Sequence, residues 1–228
     1  QVFVRTLLPV LHKLAKQYPV ITLMGPRQAG KTTLIQMAFP EKTYLNLELP
    51  DIRMAAETDP RYFLAQLPEG AILDEIQRVP MLLSYIQGEV DEKKQAGRYI
   101  LTGSHQPLLH HKVTQSLAGR TALLTLLPLS LSELKPENLD VNTLIWQGFL
   151  PRVHAAKIEP LDAYRDYLLT YVERDVRQIQ HIKDLGLFQS FIRLCAGRIG
   201  QVINKGSLGS DVGISDKTVE EWLSILEA

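Results

Sequence analysis

The run Gly25-Pro26-Arg27-Gln28-Ala29-Gly30-Lys31-Thr32-Thr33 fits the pattern Gly, four residues, Gly-Lys, then Ser or Thr, and it follows the apolar run Val20-Ile21-Thr22-Leu23-Met24 directly. Few architectures tolerate such a junction. A buried strand must run into a tight loop, and the loop must open a helix, here read from Thr33-Leu34-Ile35-Gln36-Met37-Ala38. The glycines let consecutive backbone N–H groups turn inward around an anion, and Lys31 carries a point charge toward β and γ phosphate oxygens. The Thr32 hydroxyl suits Mg²⁺. Residues Gly25, Pro26, Arg27, Gln28, Ala29, Gly30, Lys31, Thr32 and Thr33 are therefore the candidate contacts of a nucleoside triphosphate. An ordinary glycine turn would account for the glycines, but not for strand, lysine and helix in that order.

The 228 residues are enough for one large domain or for a domain plus an appendage, and the sequence favours two units. Apolar content of 45% with 22% charged residues describes a globular chain with a sizeable core. Lys and Arg total 25, as do Asp and Glu, so no electrostatic footprint for nucleic acid stands out. The single cysteine, Cys195, lies in an apolar stretch and reads as a small buried residue; it excludes an internal disulfide. No apolar run approaches the ~20 residues of a membrane span and no secretory signal is visible, which makes the cytoplasm the default location.

Beyond the loop, strand and helix patterns alternate. A helix is expected over 2–18, strands over 20–24, 42–47, 70–75, 98–104 and 121–127, and helices over 51–67, 79–95 and 112–118. That alternation implies a five-stranded, mostly parallel sheet flanked by helices on both faces. From Trp146 onward the pattern is helical, so the domain boundary is expected near residue 145.

Asp74 and Glu75 end an apolar run, at the strand edge where open α/β sheets collect ligands. Asp74 is expected to hold Mg²⁺ directly or through water, and Glu75 to orient and deprotonate an attacking water. The strand over 98–104 delivers Thr102 and Ser104 to the same edge; Ser104 is the candidate sensor of the γ-phosphate, with Thr102 as the substitute. Hydrolysis also needs a cation near the departing phosphate, and Arg120, after Gly119, is placed to reach a neighbouring subunit. Its plainer reading is a helix-terminal charge answering the dipole. His110 and His111 have no acidic or cysteine partner at ligand spacing, so no zinc site is expected.

The order of phosphate loop, Asp-Glu strand, polar strand end and Gly-Arg before a fifth strand is similar to that of the AAA+ superfamily. The motifs at residues 25–34, Leu73-Asp74-Glu75-Ile76-Gln77, Leu101-Thr102-Gly103-Ser104, Leu117-Ala118-Gly119-Arg120, Tyr171-Val172-Glu173-Arg174-Asp175-Val176 and residues 213–223 resemble a widespread prokaryotic family of predicted AAA-type ATPases. The resemblance spans essentially the whole chain. It implies a P-loop ATPase core, a helical segment, a winged-helix-like module and a further C-terminal domain of restriction-nuclease type, which would begin at about Ala228; on this reading the chain is a fragment. Gly148-Phe149-Leu150-Pro151 matches a Gly-x-x-Pro element of related signalling ATPases, which implies that Pro151 lies beside the adenine.

Residues 208–223 read as helix, glycine turn and helix, with Ser215 capping the second helix. DNA reading by that helix would rest on Lys and Arg, yet Lys217 stands against Asp216, Glu220, Glu221 and Glu227. A packing or regulatory module is the better reading. The charge-alternating run 171–177 reads as a solvated helix face, with an interface role as the alternative. The expectation is an ATP- and Mg²⁺-dependent ATPase acting as a nucleotide-driven switch in a homo-oligomer, without membrane partners. The alternatives are a nucleotide-gated DNA-binding regulator and a protein-interaction scaffold that binds nucleotide without turning it over.

Overall fold

The computed structural model describes residues 2–104, 107–135, 140–171, 182 and 184–227. The segment 172–177 and Ala228 lie outside the described residues, as do the side chains of His110 and His111. The chain divides into two compact units, Gln1–Ile158 and Glu159–Ala228.

The first unit is built on five strands, β1 (Val20–Gly25), β2 (Tyr44–Asn46), β3 (Ala71–Asp74), β4 (Tyr99–Ser104) and β5 (Thr121–Thr125). They form one sheet in the order β2-β3-β4-β1-β5, and every pairing is parallel. Alternation along each strand sends side chains to opposite faces. Ile21 and Leu23 of β1, with Ile72, Ile100 and Ala122, pack under α1 (Leu8–Ala15) and α2 (Lys31–Ala38) through Leu11, Leu34 and Ile35. Val20 and Met24, with Leu73, Tyr99 and Leu101, face Leu64 of α4 (Pro60–Ala65), Leu82, Leu83, Ile86 and Val90 of α5 (Leu82–Lys93), and Val113 of α6 (Pro107–Ser116). The sheet is thus covered on both sides, which is why its strands read as apolar runs.

Three expected helices differ, and the one expected over 112–118 is α6, which runs from Pro107 to Ser116. The helix expected over 2–18 spans only Leu8–Ala15. Pro9 suits its first turn, while Arg5 is drawn away to the phosphate loop by hydrogen bonds described below. The helix expected over 51–67 is two helices, α3 (Pro50–Thr58) and α4. Pro60 lacks an N–H and restricts the residue before it, so the first helix stops, and Asp59 caps the second by accepting from Tyr62 N at 3.0 Å.

After β5 come α7 (Leu131–Leu134), α8 (Val141–Gln147) and α9 (Pro151–Ala156). Ser130 and Glu133 form a reciprocal capping box on α7. Leu129 N donates to Phe149 O at 2.8 Å, tying the segment after β5 to the start of α9.

The second unit contains α10 (Pro160–Tyr171), α11 (Leu185–Ala196), α12 (Lys205–Val212) and α13 (Asp216–Glu227). Its core is Phe188, Phe191, Leu208, Val212, Val219, Trp222 and Ile225. The Trp222 ring stands edge-on to Phe188 and Phe191 at centroid distances of 5.1 and 5.3 Å. Cys195 is half-buried against this core, and burial pushes its thiol above the ordinary range. Gly213 takes the left-handed turn between α12 and α13 at φ +83°, and Ser215 Oγ accepts from Thr218 N at 3.2 Å, the cap expected from sequence. Among the described residues no helix is long and apolar enough to cross a membrane.

Candidate functional site

Because β4 is inserted between β1 and β3, the loop after β1 and the acids at the end of β3 open onto one edge of the sheet with the end of β4 between them. Open parallel sheets bind ligands at this edge.

The loop needs its glycines. Gly25 sits at φ +153°, and a Cβ there would collide with the Leu126 carbonyl oxygen. Gly30 is left-handed at φ +92°, and Gln28 is left-handed at φ +61°. Such alternation turns backbone N–H groups into a concavity suited to anions. Lys31 opens α2 and is buried; its Nζ donates to Gly25 O at 2.9 Å and to Pro26 O at 3.0 Å. Ala29 is buried, Arg27 is half-buried in the loop, and Thr33 points to solvent from α2. A Cβ built on Gly30 would lie 3.6 Å from Arg5 Nη1 and 3.9 Å from Pro151 Cγ, so both side chains stand beside the loop.

Three hydroxyls converge on the Asp74 carboxylate. Thr32 Oγ1 donates to Oδ2 at 2.8 Å, Tyr44 Oη donates to Oδ2 at 2.6 Å, and Thr102 Oγ1 donates to Oδ1. The strand register sets this up: Leu73 pairs with Leu101 and Asn46 with Asp74, so Thr102 and β2 flank the carboxylate. Burial and then the hydrogen bond to Asp74 push the Tyr44 hydroxyl well above its ordinary range, which keeps it a donor. Thr32 and Asp74 together offer hard oxygen donors at hydrogen-bond separation, a set that fits Mg²⁺.

Glu75 follows at φ +60°, a left-handed conformation that is costly for a residue with a Cβ. Its N–H donates to Thr102 Oγ1 at 3.1 Å, and its Oε2 accepts from Gln77 Nε2 and, at 3.5 Å, from Ser104 Oγ. The structure therefore brings Lys31, Thr32, Asp74, Glu75, Thr102 and Ser104 to one edge. Arg120 is not among them. It lies before β5 at the opposite edge, with its guanidinium on Asp91.

Sequence reasoning missed Arg5, Tyr44 and Gln77. Arg5 falls within the helix expected over 2–18, and Tyr44 within the strand expected over 42–47. Only the Leu73-to-Gln77 motif carried any signal for Gln77.

An AAA domain family model matches residues 17–135, slightly more than half of the chain, and a domain of unknown function matches residues 138–228. Two uncharacterized proteins, one of Mycobacterium bovis and one of Mycobacterium tuberculosis, are each 30% identical over an aligned length of 222 residues, covering 95% of this chain and 49% of theirs. The chain thus spans about half the length of the curated relatives it matches. Among solved structures, a Walker-type ATPase of Pyrococcus abyssi has a TM-score of 0.57 at 16% identity, covering 98% of this chain and 89% of that one. That likeness is one of fold.

Proposed function

The chain belongs to the AAA domain family whose model covers residues 17–135, and we propose that it binds ATP with Mg²⁺ and hydrolyses it as a nucleotide-driven switch in a homo-oligomer. The observation that carries this reading is the contact between Thr32 and Asp74, beside Lys31, at the loop edge of the sheet.

In this reading the loop N–H groups and Lys31 hold the β and γ phosphates, and Pro151 borders the adenine. Thr32 and Asp74 hold Mg²⁺, which when bound neutralises charge on the β and γ oxygens. Glu75 orients a water and accepts its proton as the water oxygen bonds to the γ-phosphorus and the bond to ADP breaks. Ser104, already on the Glu75 carboxylate, reports whether the γ-phosphate is present. Arg120 completes the site of a neighbouring subunit. The helices of residues 159–228 are the element that the nucleotide state reorients. The direct test is calorimetric titration of ATP into wild type and Lys31→Ala. The variant is expected to lose most of the affinity, and equal affinities would remove the site.

The second reading, a nucleotide-gated DNA-binding regulator, draws support from the helix, Gly213 turn and helix formed by α12 and α13. Charge weighs against it: Asp216, Glu220 and Glu221 lie on the helix that would enter the groove, and Lys205 Nζ is bonded to Glu220 at 2.8 Å. Salt-dependent binding of duplex DNA by the chain would favour this reading over the first.

A further inference from the structure

Arg5 is a buried cation with its Nη donors directed at backbone carbonyls. Its Nη1 donates to Ala29 O at 2.7 Å, while Nη2 donates to Leu127 O at 2.6 Å and to Pro128 O at 3.2 Å. Glu133 Oε2 lies 3.1 Å from its Nε, and the two side chains are 4% and 7% exposed, the guanidinium being the latter. Glu133 is itself fixed: Ser130 N donates to Oε2 at 3.0 Å, and Thr6 N donates to Oε1 at 2.7 Å. The guanidinium fork is therefore anchored on the segment after β5 and reaches across to one peptide of the phosphate loop.

That peptide joins Ala29 to Gly30. The chain has no cis peptide bond among the described residues, and in a trans peptide the C=O and the N–H point in opposite directions. Holding the Ala29 carbonyl thus aims the Gly30 N–H at the side of the loop away from Arg5. A charge-assisted bond also polarises the peptide and strengthens its N–H as a donor. Gly30, at φ +92°, has a backbone that several orientations would suit, so an outside constraint matters there.

We propose that Arg5 is a positioning residue of the phosphate loop, gripping the Ala29 carbonyl so that the Gly30 N–H faces the phosphate chain of the bound nucleotide. The proposal rests on the nucleotide-binding reading above. Arg5 acts through the loop and touches no phosphate. A lysine in its place keeps the charge but loses the fork that spans the Ala29, Leu127 and Pro128 carbonyls.

The test titrates ATP and inorganic tripolyphosphate separately into wild type and Arg5→Lys by calorimetry. Both probes are expected to weaken by a similar factor, about tenfold for one charge-assisted bond lost to the loop. Unchanged binding of both overturns the proposal. So does a loss confined to ATP, since that would place Arg5 on the base side. If Arg5→Lys does not fold, amide spectra of the ¹⁵N-labelled wild-type chain decide. Tripolyphosphate is expected to shift the Gly30 amide strongly and slow its hydrogen exchange. A Gly30 amide that stays silent while those of Lys31 and Thr32 respond overturns the proposal. Wild type that binds neither probe removes the nucleotide reading itself, a result distinct from either of these.

Discussion

Asp91 takes up both sides of the Arg120 guanidinium, with Nε 2.5 Å from Oδ1 and Nη2 2.8 Å from Oδ2. The Arg120 carbonyl accepts from Val20 N, at the first residue of β1, whereas the phosphate loop leaves the last. The length of β1, about 17 Å at ~3.3 Å per residue, separates Arg120 from the loop of its own chain. In the proposed oligomer, any contribution of Arg120 to hydrolysis would therefore be made at another subunit's site.

Mixing two variants, each expected to be inactive, tests that arrangement. Glu75→Gln subunits keep Arg120, and Arg120→Ala subunits keep the base. On the proposed arrangement, a mixed assembly would contain sites where an intact Glu75 meets an intact Arg120 across the boundary. Steady-state ATP turnover of the mixture is expected to exceed the sum of the two variants alone. Asp91→Ala releases the guanidinium from an exposed pair, so its thermal midpoint is expected to stay at the wild-type value. A mixture showing only dilution leaves Arg120 as a surface charge paired with Asp91.

Thr32 and Asp74 make the second prediction. If their oxygens hold Mg²⁺, wild type binds ATP more tightly with Mg²⁺ than with a chelator present, and Thr32→Ala loses that difference while keeping the chelator-level affinity. The loss is expected to be about tenfold or more, the scale of one oxygen ligand or its supporting hydrogen bond. Calorimetry in both conditions measures it. A Thr32→Ala chain that retains the full Mg²⁺ effect places the cation elsewhere.

The strands and the loop edge were legible in the sequence because a doubly covered parallel sheet writes each strand as an apolar run and ends it in polar residues. Residues 20–33 and 70–75 carried that signal in full. What was not legible depended on contacts distant in sequence. Arg5 reaches Ala29 and Pro128, partners 24 and 123 positions away. Tyr44 meets Asp74 only because β2 pairs beside β3. Periodicity describes a residue's own element, so it placed Arg5 on a helix that the tertiary hydrogen bonds begin later. It also ran one helix through Asp59 and Pro60, where the local restriction before proline breaks it.

Glu75 joins its proposed role as the base to a strained backbone, at φ +60°. A left-handed residue bearing a Cβ costs about 1–2 kcal/mol, part of which its hydrogen bonds to Gln77 and Ser104 offset. Glu75→Gly removes the strain along with the carboxylate. Its unfolding free energy in urea is expected to match or exceed the wild-type value by up to about 1 kcal/mol. Its ATP turnover is expected to fall by about 10²- to 10⁴-fold, the range for removal of a general base, with ATP affinity retained. Turnover at the wild-type rate would show that Glu75 is not the base.

Glu133 gives stability a pH dependence of definite sign. Burial opposes its charge, but the backbone N–H groups of Ser130 and Thr6, the Arg5 guanidinium and the Thr6 hydroxyl outweigh it and hold the carboxyl down to about 2. A depressed folded-state pKa means that the stabilisation is complete above the unfolded value, about 4.3 for Glu, and is lost as pH falls toward the folded value. Glu133→Gln keeps a side chain that can serve the capping box but cannot ionise. The urea midpoint of wild type is therefore expected to exceed that of Glu133→Gln by a constant margin above pH 5. That margin is expected to shrink progressively between about pH 4.3 and pH 2, where the unfolded chain takes up a proton that the folded carboxylate still excludes. A margin that stays constant over the same interval would mean that the charge on Glu133 does not stabilise the junction with Arg5.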